Sequence, residues 1–409
     1  MWGMDMGTGK TLTAIDAIGC QMCEPVLLMQ GSTASKAQRL TTAVKAFANR
    51  AGVAAICNYD AVWRGDLAAA INAVAWDAIV LDESHRIKSP TGRASRWLSL
   101  LARHKPKAKR CCLTGTPMPH SPLDIFGQFR FMEPTVFGNS FVAFRARYAQ
   151  SHHKFPSKIE KWLRQDELAL ISDEYIWRVE ADDVLDLPEA IHETIPVTLS
   201  RRTMKYCRDI EDQMTAEIDA GTVTVANALG ALLRQQQGTG GYARADETGA
   251  ATQIDGTPDK ANALQELLED LPTEEPVVVF CRFRADLEEV AAVAARLKRK
   301  SSELSGRVNQ LAEWQNGETT IIAVQIQSGG VGIDLVRAAY CVYYSLGFSL
   351  GEYEQSLARL RRPGQTRCIR YYHLIATGTV DWQVYSALKE RRSVVDAVLD
   401  RLTERRQMA

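Results

Sequence analysis

Short apolar, β-branched runs alternate with longer amphipathic stretches along the chain, and the alternation occurs twice. The first series of strand candidates is 26–30 (VLLMQ), 53–57 (VAAIC), 78–82 (AIVLD) and 110–114 (RCCLT), with helical patterns at 35–49 and 92–103. The second is 277–281 (VVVFC), 319–324 (TTIIAV), 339–344 (AYCVYY) and 369–374 (IRYYHL), with helices expected near 286–298, 308–316, 352–362 and 380–392. Strands that are apolar throughout, rather than at every second position, read as parallel strands covered on both faces. Two such series predict an α/β fold with two lobes of similar size. Between them, 122–190 reads as mainly helical and 200–235 as a long helical segment. Residues 238–258, with five glycines, read as a mobile loop. The expected divisions are a first lobe at 1–135, a helical insertion and linker at 136–273, and a second lobe at 274–409.

Composition narrows the classes. A chain of 409 residues, 46% hydrophobic and 24% charged, is an ordinary globular protein long enough for two or three domains. It has no apolar run of about 18 residues, and its first twenty residues lack the basic start of a leader peptide, so a membrane span and secretion are not expected. Nine irregularly spaced cysteines suit a reducing compartment, and the chain is expected to be cytoplasmic. The 49 basic and 49 acidic residues cancel, yet the balance is uneven: 191–273 holds 7 Lys/Arg against 13 Asp/Glu. Basic clusters stand at 103–110, 296–300 and 359–370, each free of acids.

Three constellations carry chemistry. Gly7-Thr8-Gly9-Lys10-Thr11 opens a helical pattern after a short strand-like start. Glycines there leave backbone N–H groups free to face phosphate oxygens, with Lys10 on the β/γ-phosphates and the Thr11 hydroxyl on Mg²⁺. A full P-loop has glycine where Met4 stands, and a glycine turn capping a helix is the bland alternative. Second, AIVLDESH sets Asp82 and Glu83 at the carboxyl end of a buried strand. Asp82 is expected to hold Mg²⁺, directly or through water, and Glu83 to orient and deprotonate the attacking water. Third, Gln355, Arg359 and Arg362 recur at i, i+4 and i+7, one face of the expected helix. Arginines there can serve a γ-phosphate from a second lobe, although a solvated basic face is the commoner fate of such a pattern. Cys20-x-x-Cys23 lacks a second ligand pair, so zinc is not expected. Trp162, Tyr175 and Trp177 read as core residues in helices.

Taken together, these residues resemble the helicase superfamily 2 motors, and within them the Swi/Snf-related DNA translocases. DMGTGKT (5–11) and DESH (82–85) are similar to the first motif and the DExH box. LTGTP (113–117), PMPHSPLDIFGQFRFMEPTVFG (117–138), SGGVGIDL (328–335), QSLARLRRPGQ (355–365, counted with its leading glutamine) and RYYHLIATGTVD (370–381) resemble later segments in the family's order. The resemblance implies two tandem RecA-like P-loop lobes, ATP between them and DNA across both. It implies that His85 couples the ATP site to Gln355, that Thr114 and Thr116 transmit nucleotide state, and that Gly329, Gly330, Gly332 and Asp334 line the second-lobe side. Arg361 stands where many relatives have His, and Asp334 where many have Asn. The family's adenine-reading glutamine motif lies upstream of the P-loop, and only nine residues precede Lys10 here.

The expectation is thus an ATP- and Mg²⁺-dependent DNA translocase or helicase, a monomeric motor of phage or bacterial type acting on double-stranded DNA, with single-stranded or forked DNA as further substrates. The alternatives are a strand-separating replication helicase and a non-hydrolysing nucleic-acid-binding protein.

Overall fold

The structure, a computed structural model, describes residues 1–4, 10, 13–14, 26–30, 54–119, 121–151, 159–219, 225–244, 251–326 and 333–390. Contacts divide the chain into two units, Met1–Asp186 and Leu187–Ala409, each built on one six-stranded sheet. With strands numbered along the chain, the first sheet runs β3 (Ala54–Asn58), β2 (Val26–Gln30), β4 (Ala78–Asp82), β5 (Lys109–Thr114), β1 (Trp2–Met4), β8 (Trp177–Val179). The second runs β13 (Ser301–Leu304), β14 (Ile321–Gln325), β12 (Val277–Cys281), β15 (Tyr340–Tyr343), β16 (Ile369–Ala376), β9 (Ala190–Val197). All neighbouring pairs in both sheets are parallel. The eight strands expected from apolar runs lie within two residues of their observed bounds. The helix expected at 35–49, the Cys20/Cys23 pair and His152-His153 lie outside the described residues.

Burial on both faces explains the uninterrupted apolar runs. In β4, Ile79 and Leu81 enter one core while Ala78 and Val80 enter another. In β12, Val278 and Phe280 face one core and Val277, Val279 and Cys281 the opposite one. Successive side chains point to opposite faces, so a strand clad on both sides needs apolar residues at every position. No helix among the described residues is long and apolar enough to cross a membrane.

The region between the strand series departs from expectation. Residues 136–273 do not stand apart as an insertion: β8 completes the first sheet beside β1, and β9 completes the second beside β16. Both are edge strands. β9 (AIHETIPV) is exposed at alternate positions, His192, Thr194 and Pro196, and interrupted by three polar residues, so it lacks the apolar run by which a central strand announces itself. The stretch 238–258 is not one loop either, since Tyr242–Arg244 (β10) pairs antiparallel with Ala251–Gln253 (β11). Gly241, at φ 90°, makes the turn out of the helix Val225–Thr239. A second short hairpin joins Ala149–Ser151 (β6) to Ile159–Trp162 (β7). Trp162 lies in that hairpin rather than a helix, though it packs against the first-lobe core as Tyr175 does, and Trp177 is 55% exposed on β8.

One ion pair ties the second unit together. The Lys260 ammonium, on the helix Asp259–Glu269, lies 2.6 Å from Asp381 on the helix Val380–Lys389, with both side chains buried. Lys260 also donates to the Tyr344 carbonyl at 3.1 Å, and Asp381 accepts from the Thr239 hydroxyl at 3.1 Å and the Ala376 N–H at 3.2 Å. Removing one partner leaves the other's charge buried and uncompensated. Lys260→Met is expected to cost about 3–5 kcal/mol in urea unfolding, and Lys260→Met with Asp381→Leu markedly less. A single variant as stable as the parent would contradict this.

Candidate nucleotide site

The carboxyl ends of β4, β5 and β1 are neighbours in the first sheet, and each delivers one of the candidate motifs. β5 lies between the other two, with Asp82 of β4 level with Leu113, and Gly3 of β1 level with Thr114. A parallel sheet places ligands at this edge. Lys10 is buried, 8% exposed, and its ammonium donates to the Met4 carbonyl at 2.7 Å. That bond anchors the side chain to the end of β1. Gly7, Thr8, Gly9 and Thr11 lie outside the described residues.

Asp82 is 2% exposed, and the buried Tyr59 hydroxyl donates to its main-chain oxygen at 2.7 Å, fixing the strand end. Burial, reinforced by the negative charge of Asp82, raises the Tyr59 pKa well above its ordinary value, so it stays a neutral donor. Glu83 turns the chain sharply: at φ 54° and ψ 50° it occupies the left-handed region, where a non-glycine residue costs about 1–3 kcal/mol. Its carboxylate comes within 3.5 Å of His85 Nδ1, and the same nitrogen meets the Thr114 hydroxyl at 3.0 Å. That hydroxyl oxygen accepts from the Thr116 N–H at 3.1 Å. His85 therefore joins the DESH turn to the LTGTP loop. A deeply buried carboxylate is a hard oxygen donor suited to Mg²⁺, and an anchored ammonium suits phosphate, so this donor set fits a magnesium–nucleotide pair.

Gln128 was not foreseen, and its role depends wholly on packing. Completely buried on the helix Ile125–Met132, it accepts from the Ser84 hydroxyl at 2.7 Å and donates to the Pro117 and Asp124 carbonyls at 2.6 and 3.3 Å. Beside it, a Cβ on Gly127 would lie 2.1 Å from the Ile87 carbonyl oxygen, so only glycine lets this helix press against the DESH turn.

In the second unit, the expected single helical face carrying Gln355, Arg359 and Arg362 does not form. The helix Leu350–Leu357 ends before both arginines, which lie in the turns that follow. Pro363 disfavours helical backbone at Arg362, and Gly364 at φ 102° completes the departure. The turns are instead stitched to the end of SGGVGIDL. Arg362 donates to the Ile333 carbonyl at 3.2 Å, the Leu335 N–H to the Arg359 carbonyl at 3.2 Å, and Gln365 to the carbonyls of Val336 and Ala338. Asp334 caps its own turn, its carboxylate accepting from the Val336 N–H at 3.0 Å. Gly329, Gly330 and Gly332 lie outside the described residues. A cavity of about 470 Å³ opens beyond the ends of β12 and β14, lined by Arg282, Arg284, Asp286 and Gln325 among others. Arg282 stacks 3.8 Å above the Phe348 ring, and burial lowers its pKa to about 10.

Two parallel α/β lobes, the first with an anchored lysine and an acidic strand end at one sheet edge, define a tandem RecA-like P-loop ATPase core. Sequence comparison extends this: the chain matches the SNF2-related domain over residues 25–239 and the helicase conserved C-terminal domain over residues 259–364. The chain belongs to the SNF2-related family, the ATP-hydrolysing core of helicases and translocases. It is 25% identical over 362 residues to putative protein p41 of Acyrthosiphon pisum secondary endosymbiont phage 1, covering 84% of this chain and 76% of that one. It is 25% identical over 358 residues to the Bos taurus DNA annealing helicase and endonuclease ZRANB3, covering 83% of this chain. It is 23% identical over 344 residues to the putative ATP-dependent helicase/translocase YwqA of Bacillus subtilis, covering 80%. The chain spans only 31% of the ZRANB3 relative and 36% of YwqA. The Sulfolobus solfataricus SWI2/SNF2 ATPase core in complex with dsDNA aligns over 96% of this chain and 87% of its own, with TM-score 0.41 and 20% identity.

Hydroxyls anchor the inner face of the helix that precedes the arginine turns. Tyr353 bonds His373 Nε2 at 2.9 Å, Tyr343 bonds Ser356 at 2.6 Å, and Tyr371 donates to the Leu357 carbonyl at 2.8 Å. His373 Nδ1 faces the Glu193 carbonyl at 3.2 Å and must donate to it, leaving Nε2 to accept from Tyr353. Burial lowers the His373 pKa to about 3. The unfolded histidine, near ~6.5, takes up a proton that the folded one refuses, so stability is lost as pH falls from about 6.5 towards 3. The His373 contribution is at most ~1.4 kcal/mol per pH unit. His373→Gln, which does not titrate, is expected to flatten this slope in urea unfolding between about pH 7 and 5; an unchanged slope would refute the assignment.

Proposed function

We propose that the chain is an ATP-driven motor that moves on duplex DNA. The carrying observation is charge placement beside the site. Between Glu83 and Asp124 there are nine Lys/Arg residues and no acid. Arg64 and Arg93 lie 5.0 and 4.8 Å from the centre of the Trp63 ring, and Arg96 and Arg103 are exposed on the helix Arg93–His104. Among the described residues none of these four pairs with a carboxylate. Burial, with the charges of Arg103 and Arg96, lowers the Arg130 pKa. Such a surface suits a phosphate backbone and reads no sequence.

The cluster at 359–370 is largely engaged internally: Arg367 and Arg370 pair with Glu275 and Glu193, and Arg361 donates to the Pro188 carbonyl. In 296–300, Arg299 is buried and bonds the Glu275 carbonyl, while Arg296, Lys298 and Lys300 are exposed. Relatives named as a DNA annealing helicase and a helicase/translocase support the DNA reading. Duplex DNA, rather than forked or single-stranded DNA, is the substrate we assign.

In this reading Lys10 binds the β/γ-phosphates, Thr11 and Asp82 hold Mg²⁺, and Glu83 orients the attacking water and takes its proton. Arg359 and Arg362, from the second lobe, stabilise charge on the transferred phosphoryl group, with Gln355 beside them, while Gly7, Thr8 and Gly9 cradle the phosphates. Gly332 and Asp334 line the second-lobe side. Magnesium held by Thr11 and Asp82 would supply positive charge to offset that of the phosphates. The retained Lys10, Asp82 and Glu83 argue against a non-hydrolysing protein.

Phosphate release measured with and without linear duplex DNA tests the proposal. Duplex DNA is expected to stimulate hydrolysis. Glu83→Gln is expected to lose about 10²–10⁴-fold and Arg362→Ala about 10³-fold or more, while DNA binding persists. Lys10→Ala should likewise lose hydrolysis and keep DNA. Absence of stimulation by any nucleic acid would overturn the motor reading, and unwinding of forked DNA without displacement of a triplex strand from duplex DNA would replace it with a strand-separating helicase.

A further inference from the structure

We infer that Gln128 is a positioning residue for ATP hydrolysis: it holds the DESH turn and the LTGTP loop at a fixed separation, and so sets where Glu83 stands. The inference rests on the ATPase assignment and concerns a residue outside the DESH and LTGTP motifs themselves. Its side-chain amide spans both segments. The carbonyl oxygen accepts from Ser84, the residue after Glu83, and the NH₂ donates to the carbonyl of Pro117, the last residue of LTGTP. A third bond, to the Asp124 carbonyl, ties the amide to its own helix.

Three features make this a strut rather than ordinary core packing. First, the bond on the DESH side is inaccessible to water: Gln128 and Ser84 each have no exposed surface, so water cannot replace the bond between them. Second, the helix that carries Gln128 packs directly on the DESH turn, with the Gly127 backbone against the Ile87 carbonyl at a distance that excludes a Cβ. Third, Glu83 itself is in left-handed backbone, a conformation that persists only where its surroundings over-determine it. The turn after Glu83 is held from both sides, by Tyr59 on the Asp82 carbonyl and by Gln128 on Ser84. His85 and Thr114 form a second link between the same two segments, so the strut and this link bracket the carboxylate of Glu83.

Gln128→Met tests this, because it conserves volume and chain length while removing all three polar bonds. Ser84→Ala removes only the bond on the DESH side and serves where the first variant folds poorly. Both are compared with the parent for kcat and KM of ATP, without nucleic acid and with saturating duplex DNA, alongside the thermal midpoint. The expected result is a kcat reduced about 10–100-fold, as for a group misplaced by an ångström or less, with KM for ATP within about threefold of the parent. Ser84→Ala should reproduce most of the loss. The double variant should be no worse than Gln128→Met alone, because the two act through one bond.

A parental kcat in Gln128→Met, losses that multiply in the double variant, or a rise in KM that accounts for the whole effect would each overturn the role. A parent chain that hydrolyses ATP without responding to DNA would defeat the motor reading, and the comparison of basal kcat would still decide the role of Gln128.

Discussion

Two parallel sheets, each buried on both faces, set most of what this protein can do. Parallel strands run the same way, so all their carboxyl ends emerge at one edge, and whatever the chain carries just past those ends is gathered there. Asp82, Thr114 and Met4 come together because β4, β5 and β1 are neighbours. The insertion of β5 between the other two puts the LTGTP loop between the acidic turn and the anchored lysine. The sheet order alone thus places a loop that can sense the acidic turn.

That edge is polar and yet largely shielded from water, which raises the cost of any unpaired group. The first lobe meets this with short side-chain bonds across segments: Tyr59 to Asp82, His85 to Thr114 and Gln128 to Ser84. The second uses the same device under the helix that precedes its arginines, through Tyr353, Tyr343 and Tyr371. Left-handed backbone at Glu83 is sustainable in such a frame. A carboxylate-bearing turn of this kind on a free loop would relax instead.

Net neutrality coexists with a strongly biased surface. Acids are absent from the forty residues after Glu83, whereas 191–273 carries an excess of them. Much of the remaining basic charge is paired or buried, as at Arg299, Arg367 and Arg370. Counting clusters along the chain overstates the cationic surface, because linear spacing does not distinguish an arginine that faces water from one that bonds a carbonyl across the lobe.

The central strands and the candidate catalytic residues were legible in the sequence, since burial on both faces writes an unbroken apolar run and phosphate chemistry demands particular residues at particular spacings. The edge strands β8 and β9 were not, because a half-exposed strand needs no such run. The regular spacing of Gln355, Arg359 and Arg362 suggested one helical face, but Pro363 and Gly364 ended the helix sooner. Gln128, Tyr59 and His373 left no local signal: each acts on a partner 23 to 180 positions away. Sequence by itself determined which groups could handle a nucleotide; only the tertiary structure decided what holds them, because a buried polar bond depends on which distant segments the packing of the sheets brings within three ångströms.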